Sequence, residues 1–98
     1  MIQDLEVERE DGAERGRYVI HLPEGLVAEL TYGRRDGGVI VADHTFVPPS
    51  MRGHGLAEKL VDRLIGDARS EGNTILPLCS YVAAQFRRHS DWADLRAG

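Results

Sequence analysis

Thr45-Phe46-Val47-Pro48-Pro49-Ser50-Met51-Arg52-Gly53-His54-Gly55-Leu56-Ala57 joins a β-branched and aromatic run, Val39 to Val47, to a strongly amphipathic helix. The two prolines stop the run, and Arg52, Gly53 and Gly55 form a short turn before the helix. A strand feeding such a turn gathers backbone N–H groups that have no acceptor inside the helix, and the helix dipole adds partial positive charge at the same point. Glycine lets an anion approach the main chain and accepts positive φ. The reading is a phosphate-bearing ligand at residues 52–57, held by the backbone amides of Gly53, His54, Gly55, Leu56 and Ala57. The Arg52 side chain either meets the ligand or braces the loop, and His54 is exposed.

Outward from the turn, Leu56, Ala57, Leu60, Val61, Leu64, Ile65 and Ala68 recur at helical spacing, with Glu58, Lys59, Asp62, Arg63, Asp67 and Arg69 on the other side. Gly72 and Asn73 end this helix. Thr74 to Leu78 is a fifth strand, and a helix joining strands four and five makes them parallel neighbours. Pro77 cannot donate a ladder hydrogen bond. It marks either a plain edge strand or a point where strands four and five separate. Ser80 is the expected N-cap of a last helix, Tyr81 to about Arg88, with Val82, Ala83 and Phe86 inward. Trp92 packs as a lid over the core, and the tail is frayed.

Upstream, residues 2–9 read as an edge strand with Leu5 and Val7 on its apolar face. Asp11 to Gly16 is a turn, Arg17 to Leu22 a second strand and Leu26 to Arg34 a third. Arg35-Asp36-Gly37-Gly38 is a hairpin turn leading into strand four. The expected fold class is α/β (α+β), with an antiparallel four-strand meander, a helix, a parallel fifth strand and a C-terminal helix. Residues 1–98 are read as one domain, without repeats or linkers.

Val47-x-Pro49-x-x-Arg52-x-x-Gly55-x-Ala57 resembles the acetyl-coenzyme A signature of GCN5-related N-acetyltransferases. Pro77-Leu78-Cys79-Ser80-Tyr81-Val82-Ala83 through His89, together with His44-Thr45, resembles the small single-domain branch of that superfamily. The resemblance covers about residues 17 to 92. It implies an acetyl-coenzyme A-dependent N-acetyltransferase with the order β-β-β-β-α-β-α. It also implies a gap between strands four and five that holds the pantetheine arm as an extra strand would. Larger relatives insert helices between their first strands, where this chain has only the turn around residues 11–16. The acceptor site is therefore expected to be open, or completed by another molecule.

Within that frame Phe46, Val47 and Tyr81 line the coenzyme side, and strand-four N–H groups polarise the thioester carbonyl. Cys79, next to a helix start, is either a transient acetyl carrier or a small apolar wall. His44 shares a face with Phe46 and is either a general base for the acceptor amine or a structural histidine. Relatives commonly carry an acid where this chain has Phe46. The alternatives to an acetyltransferase are a coenzyme A-binding module without efficient catalysis and a plain interaction domain.

Twelve basic and sixteen acidic residues give a net charge of −4, which argues against a broad nucleic-acid-binding face. The expected acceptor is a small amine or a protein lysine or N-terminus. Apolar residues at 42% support a modest core, and no run approaches the roughly 18 apolar residues of a membrane span. The opening Met1-Ile2-Gln3-Asp4 is not a secretory signal, and the single cysteine suits a reducing cytoplasm. His21, His44, His54 and His89 have no metal-ligand spacing, so no metal is expected. A monomer or weak homodimer is the expected state.

Overall fold

β-Branched and aromatic runs separated by Gly-rich turns become strands, and the long amphipathic stretch becomes the main helix. The computed structural model describes residues 5–97. Its elements are β1 (Glu8–Glu10), β2 (Arg15–His21), β3 (Val27–Arg35), β4 (Val39–Phe46), α1 (Leu56–Glu71), β5 (Thr74–Pro77) and α2 (Ser80–Arg88), closed by a 3₁₀ segment, Ser90–Leu95. One sheet has the order β1-β2-β3-β4-β5. Its first four strands are antiparallel, and β5 lies parallel to β4 after the α1 crossover. The expected α/β class and element order both hold.

α1 buries Leu56, Leu60, Val61, Leu64, Ile65 and Ala68. These side chains join Tyr18, Ile20, Leu30, Tyr32, Ile40, Ala42 and Ile75 from the sheet in one core. Val82 and Phe86 of α2, with Trp92 and Leu95, belong to the same cluster. Both helices therefore cover one face of the sheet. Val19 and Val41, on the alternate side of their strands, lie outside that cluster. Among the described residues, no helix covers that second face.

Three expectations need correction. The first strand is only Glu8–Glu10; of the expected span, residues 2–4 lie outside the described residues. Leu5 and Val7 do pack on the core, but Lys59 Nζ donates to the Leu5 carbonyl at 3.0 Å and Arg63 Nη1 to the Val7 carbonyl at 2.9 Å. Side chains of α1 thus engage carbonyls that a longer strand would have offered to its ladder. β2 starts two residues early because Arg15 and Gly16 pair with Gly33 and Tyr32. The tail is not frayed. Trp92 packs edge-on against Phe86 with centroids 5.6 Å apart, and the Ala97 N–H donates to the Ile75 carbonyl at 2.8 Å. Arg96 forms a parallel bridge to Ile75, so the tail covers the outer edge of β5.

One polar cluster ties β1 to α1. Arg9 lies over the rings of Tyr18 (5.3 Å) and Tyr32 (5.5 Å). It donates to Tyr32 Oη at 3.0 Å, Glu71 at 2.5 Å and Asp67 at 3.3 Å. Burial opposes its charge, but the bonds from Glu71 and Tyr32 outweigh that and hold its pKa above the ordinary value. Tyr18 Oη donates to Asp67 at 2.9 Å, while Tyr32 Oη and Arg34 both donate to Asp11.

Replacing Arg9 by Met keeps the stem but removes a donor from Glu71, Asp67 and the Tyr32 hydroxyl. The expected loss is about 2 kcal/mol in urea unfolding with an unchanged slope; a loss under about 0.5 kcal/mol would mean the clasp is ornamental. The Tyr32 and Arg34 bonds hold the Asp11 carboxyl below its ordinary value of 3.8. Its folded pKa is depressed, so it contributes stability above pH 3.8 that is lost as pH falls through the folded value. Thermal unfolding from pH 5 downward checks this: Asp11→Asn should be less stable at neutral pH and show a shallower acid decline.

Candidate functional site

β4 is an unequal strand. Up to Ala42 it pairs on both sides, with Tyr32 of β3 and Pro77 of β5. The β3 register then shifts: Tyr32 faces Ala42 but Thr31 faces His44, which leaves Asp43 as an inserted residue. That bulge inverts the facing of every later residue in β4. Thr45 comes opposite Leu30, a buried core residue, and so faces the helices. His44 and Phe46 come opposite Thr31 and Glu29 on the bare face. Asp43 accepts from Thr31 Oγ1 at 2.6 Å and from Arg15 at 2.9 Å. Burial would raise its pKa, and these two bonds overcome that and lower it.

On the β5 side, pairing ends at Ala42–Pro77. The N–H groups of Leu78 and Cys79 both donate to the Ala42 carbonyl, at 3.0 and 2.9 Å, and the chain turns into α2. β4 runs on through Asp43–Phe46, and among the described residues no strand pairs with that edge. Of the two readings of Pro77, the separation of β4 and β5 is the one observed.

After β4, Pro49–Met51 makes a 3₁₀ turn and Arg52 Nε donates to the Val47 carbonyl at 3.0 Å. Arg52 therefore braces the loop. Gly53 and Gly55 have φ of 86° and 74°, values that strain any residue with a Cβ. Gly55 is the N-cap of α1, and no side chain caps the helix. The first helical bond runs from the Lys59 N–H to the Gly55 carbonyl at 3.1 Å, so the amides ahead of it have no acceptor within the helix.

A cleft of about 440 Å³ lies where these parts meet. Phe46, Val47, Arg52, Gly53, Gly55, Leu56, Ala57 and Tyr81 line it, together with Thr45, Met51 and Glu58. His54 is exposed and outside the lining. Burial, and then the Glu58 charge, raise the Tyr81 pKa, so its hydroxyl stays protonated at neutral pH. Cys79, not Ser80, is the N-cap of α2 and makes no side-chain cap bond; Ser80 is the first helical residue. The half-buried Cys79 Sγ donates to Thr45 Oγ1 at 3.4 Å, which puts the sulfur directly behind the lining. His44 is exposed on the opposite side of β4. The two residues expected to share the chemistry thus stand on different faces. Thr45 went unrecognised because the alternation was read without the bulge, and nothing in the residue run announces that inserted position.

The description GCN5-related N-acetyl-transferase belongs to a family model that matches residues 17–95. The solution structure of a GCN5-like candidate N-acetyltransferase from Staphylococcus aureus superposes with a TM-score of 0.71 at 27% identity, over 93% of this chain and 88% of that one.

The cap geometry makes a direct prediction. Gly55→Ala places a Cβ at positive φ and should cost about 1–2 kcal/mol in chemical unfolding. A variant as stable as the parent would show that this turn tolerates other conformations.

Proposed function

The chain belongs to the GCN5-related N-acetyltransferase family, and we propose that it moves the acetyl group of acetyl-coenzyme A to an amine at the cleft between β4 and α1. The observation that carries this reading is the meeting of two unsatisfied main-chain surfaces in one cleft. The uncapped start of α1 suits a diphosphate. The unpaired edge of β4 suits the amide-bearing pantetheine arm, which would dock there as a strand does.

In this reading the amides of Gly53 to Ala57 hold the diphosphate, while Arg52 keeps the loop in place through Val47. Phe46 and Val47 flank the arm, and β4 N–H groups polarise the thioester carbonyl. Tyr81, protonated at neutral pH, lines the coenzyme side of the cleft. The acceptor amine arrives over the bare face. That face carries shallow troughs around Arg15 rather than an enclosed pocket, which supports an open acceptor site. His44 lies exposed on it and takes the amine proton. Cys79 serves as the transient acetyl carrier. Residues 1–98 act as one domain, and the cytoplasm suits its free cysteine. No helix among the described residues is long and apolar enough to cross a membrane. A second reading, a coenzyme A-binding module without efficient turnover, draws support from Phe46, which stands 41% exposed where the family resemblance implies an acid.

Acetyl-coenzyme A at about 100 times its Kd should stabilise the native protein by about 2.7 kcal/mol, a rise in Tm on the order of 10 °C. Absence of any rise would defeat the proposal. His44→Ala should reduce turnover on the order of 100-fold. Full activity would take the base role from His44, and binding without transfer to any amine of a broad panel would leave the binding-module reading.

A further inference from the structure

We propose that Thr45 is the positioning residue for acyl transfer through Cys79, an inference that rests on the acyl-transfer reading above. The bulge at Asp43 turns Thr45 toward the helices, where an unbroken strand would have placed His44. Thr45 lines the cleft, and its Oγ1 lies 3.4 Å from the Cys79 sulfur. Among the described residues, Thr45 is the side-chain partner of that sulfur. Its β-branched side chain is stiff at χ1, so the hydroxyl is held by the strand itself.

The Cys79 backbone is pinned as well, because its N–H shares the Ala42 carbonyl with Leu78. Both ends of the S···O contact are therefore fixed by β4: one by its carbonyl before the bulge, the other by a side chain after it. In the resting protein the thiol donates to the Thr45 oxygen. A hydroxyl both accepts and donates, so it can turn its own proton toward the sulfur once the thiol proton has left.

The first half-reaction forms a bond from Cys79 Sγ to the acetyl carbon and breaks the bond from that carbon to the coenzyme sulfur. The thiol proton goes to the departing coenzyme A thiolate. In the second half-reaction the acceptor nitrogen bonds the acetyl carbon, the Sγ–carbon bond breaks to leave the Cys79 thiolate, His44 takes the amine proton, and the thiolate regains a proton from solvent. Sulfur bears negative charge in both halves, and Thr45 Oγ1 is the hydroxyl beside it in both. His44, on the far face of β4, meets the amine and not the sulfur.

The test compares Thr45→Val, which keeps the branched shape without the hydroxyl, with Thr45→Ser, which keeps the hydroxyl. Single-turnover reactions at saturating acetyl-coenzyme A are quenched and read by intact mass for acetyl on Cys79. Iodoacetamide alkylation of Cys79 in the coenzyme-free protein gives a second readout that needs no acyl donor. Thr45→Val should slow both at least tenfold, and Thr45→Ser should recover both to within about threefold of the parent. The inference is overturned if Thr45→Val alkylates or acetylates as fast as the parent, if Thr45→Ser is as slow as Thr45→Val, or if the parent turns over without acetyl reaching Cys79. Failure of the underlying reading looks different: the parent would then gain no thermal stability from acetyl-coenzyme A, whatever the alkylation rates.

Discussion

Past Ala42, β4 has a hydrogen-bonded neighbour on one side only, and the site is arranged around that half-paired strand. A buried or cleft-lining main chain with unused donors and acceptors is costly unless something satisfies it. Two local features create the gap. Pro77 brings no N–H to the ladder, and the next two amides converge on a single carbonyl, which takes the chain out of the sheet. α1 then begins beside the gap with its own first amides uncapped. Unsatisfied backbone on two elements, facing one cleft, is a stronger indication of a ligand than either would be alone.

Such a gap needs a rigid surround. Both helices pack on one face, and the tail lies along β5, so the open segment of β4 is held between well-anchored parts. The Arg9 clasp ties β1 to α1 far from the cleft, and it fixes the helix whose first turn lines that cleft. The same economy leaves the other sheet face bare. Its charges pair largely with one another, as in Arg17 with Glu10 and Glu29, and Arg15 with Asp43. The bulge decides which β4 side chains lie on each face of the sheet.

Much of this was legible in the residue run. α1 was legible because its apolar spacing and its Gly72 stop agree with each other, and the turn because glycines fall where positive φ is required. The separation at Pro77 was one of the two readings that its missing donor allowed. Other features depend on contacts remote in sequence. Lys59 and Arg63 engage the Leu5 and Val7 carbonyls across more than fifty residues, which no local propensity encodes. Cys79 displaced Ser80 as N-cap because the hydrogen bonds from the Leu78 and Cys79 N–H groups to the Ala42 carbonyl keep residue 79 extended, with ψ of 129°. The bulge at Asp43 was invisible because one inserted residue leaves no mark in a short alternating run, yet it reverses every facing after it. The contact between Thr45 and Cys79 was hidden for that reason alone.

Residue-resolved amide hydrogen exchange with and without coenzyme A tests the central claim most directly. Slower exchange should appear at Gly53 to Ala57 and along β4 beyond Asp43, with β1 and β2 unchanged. Unaltered exchange at both the turn and the open edge, with protection gained on the bare face instead, would contradict it.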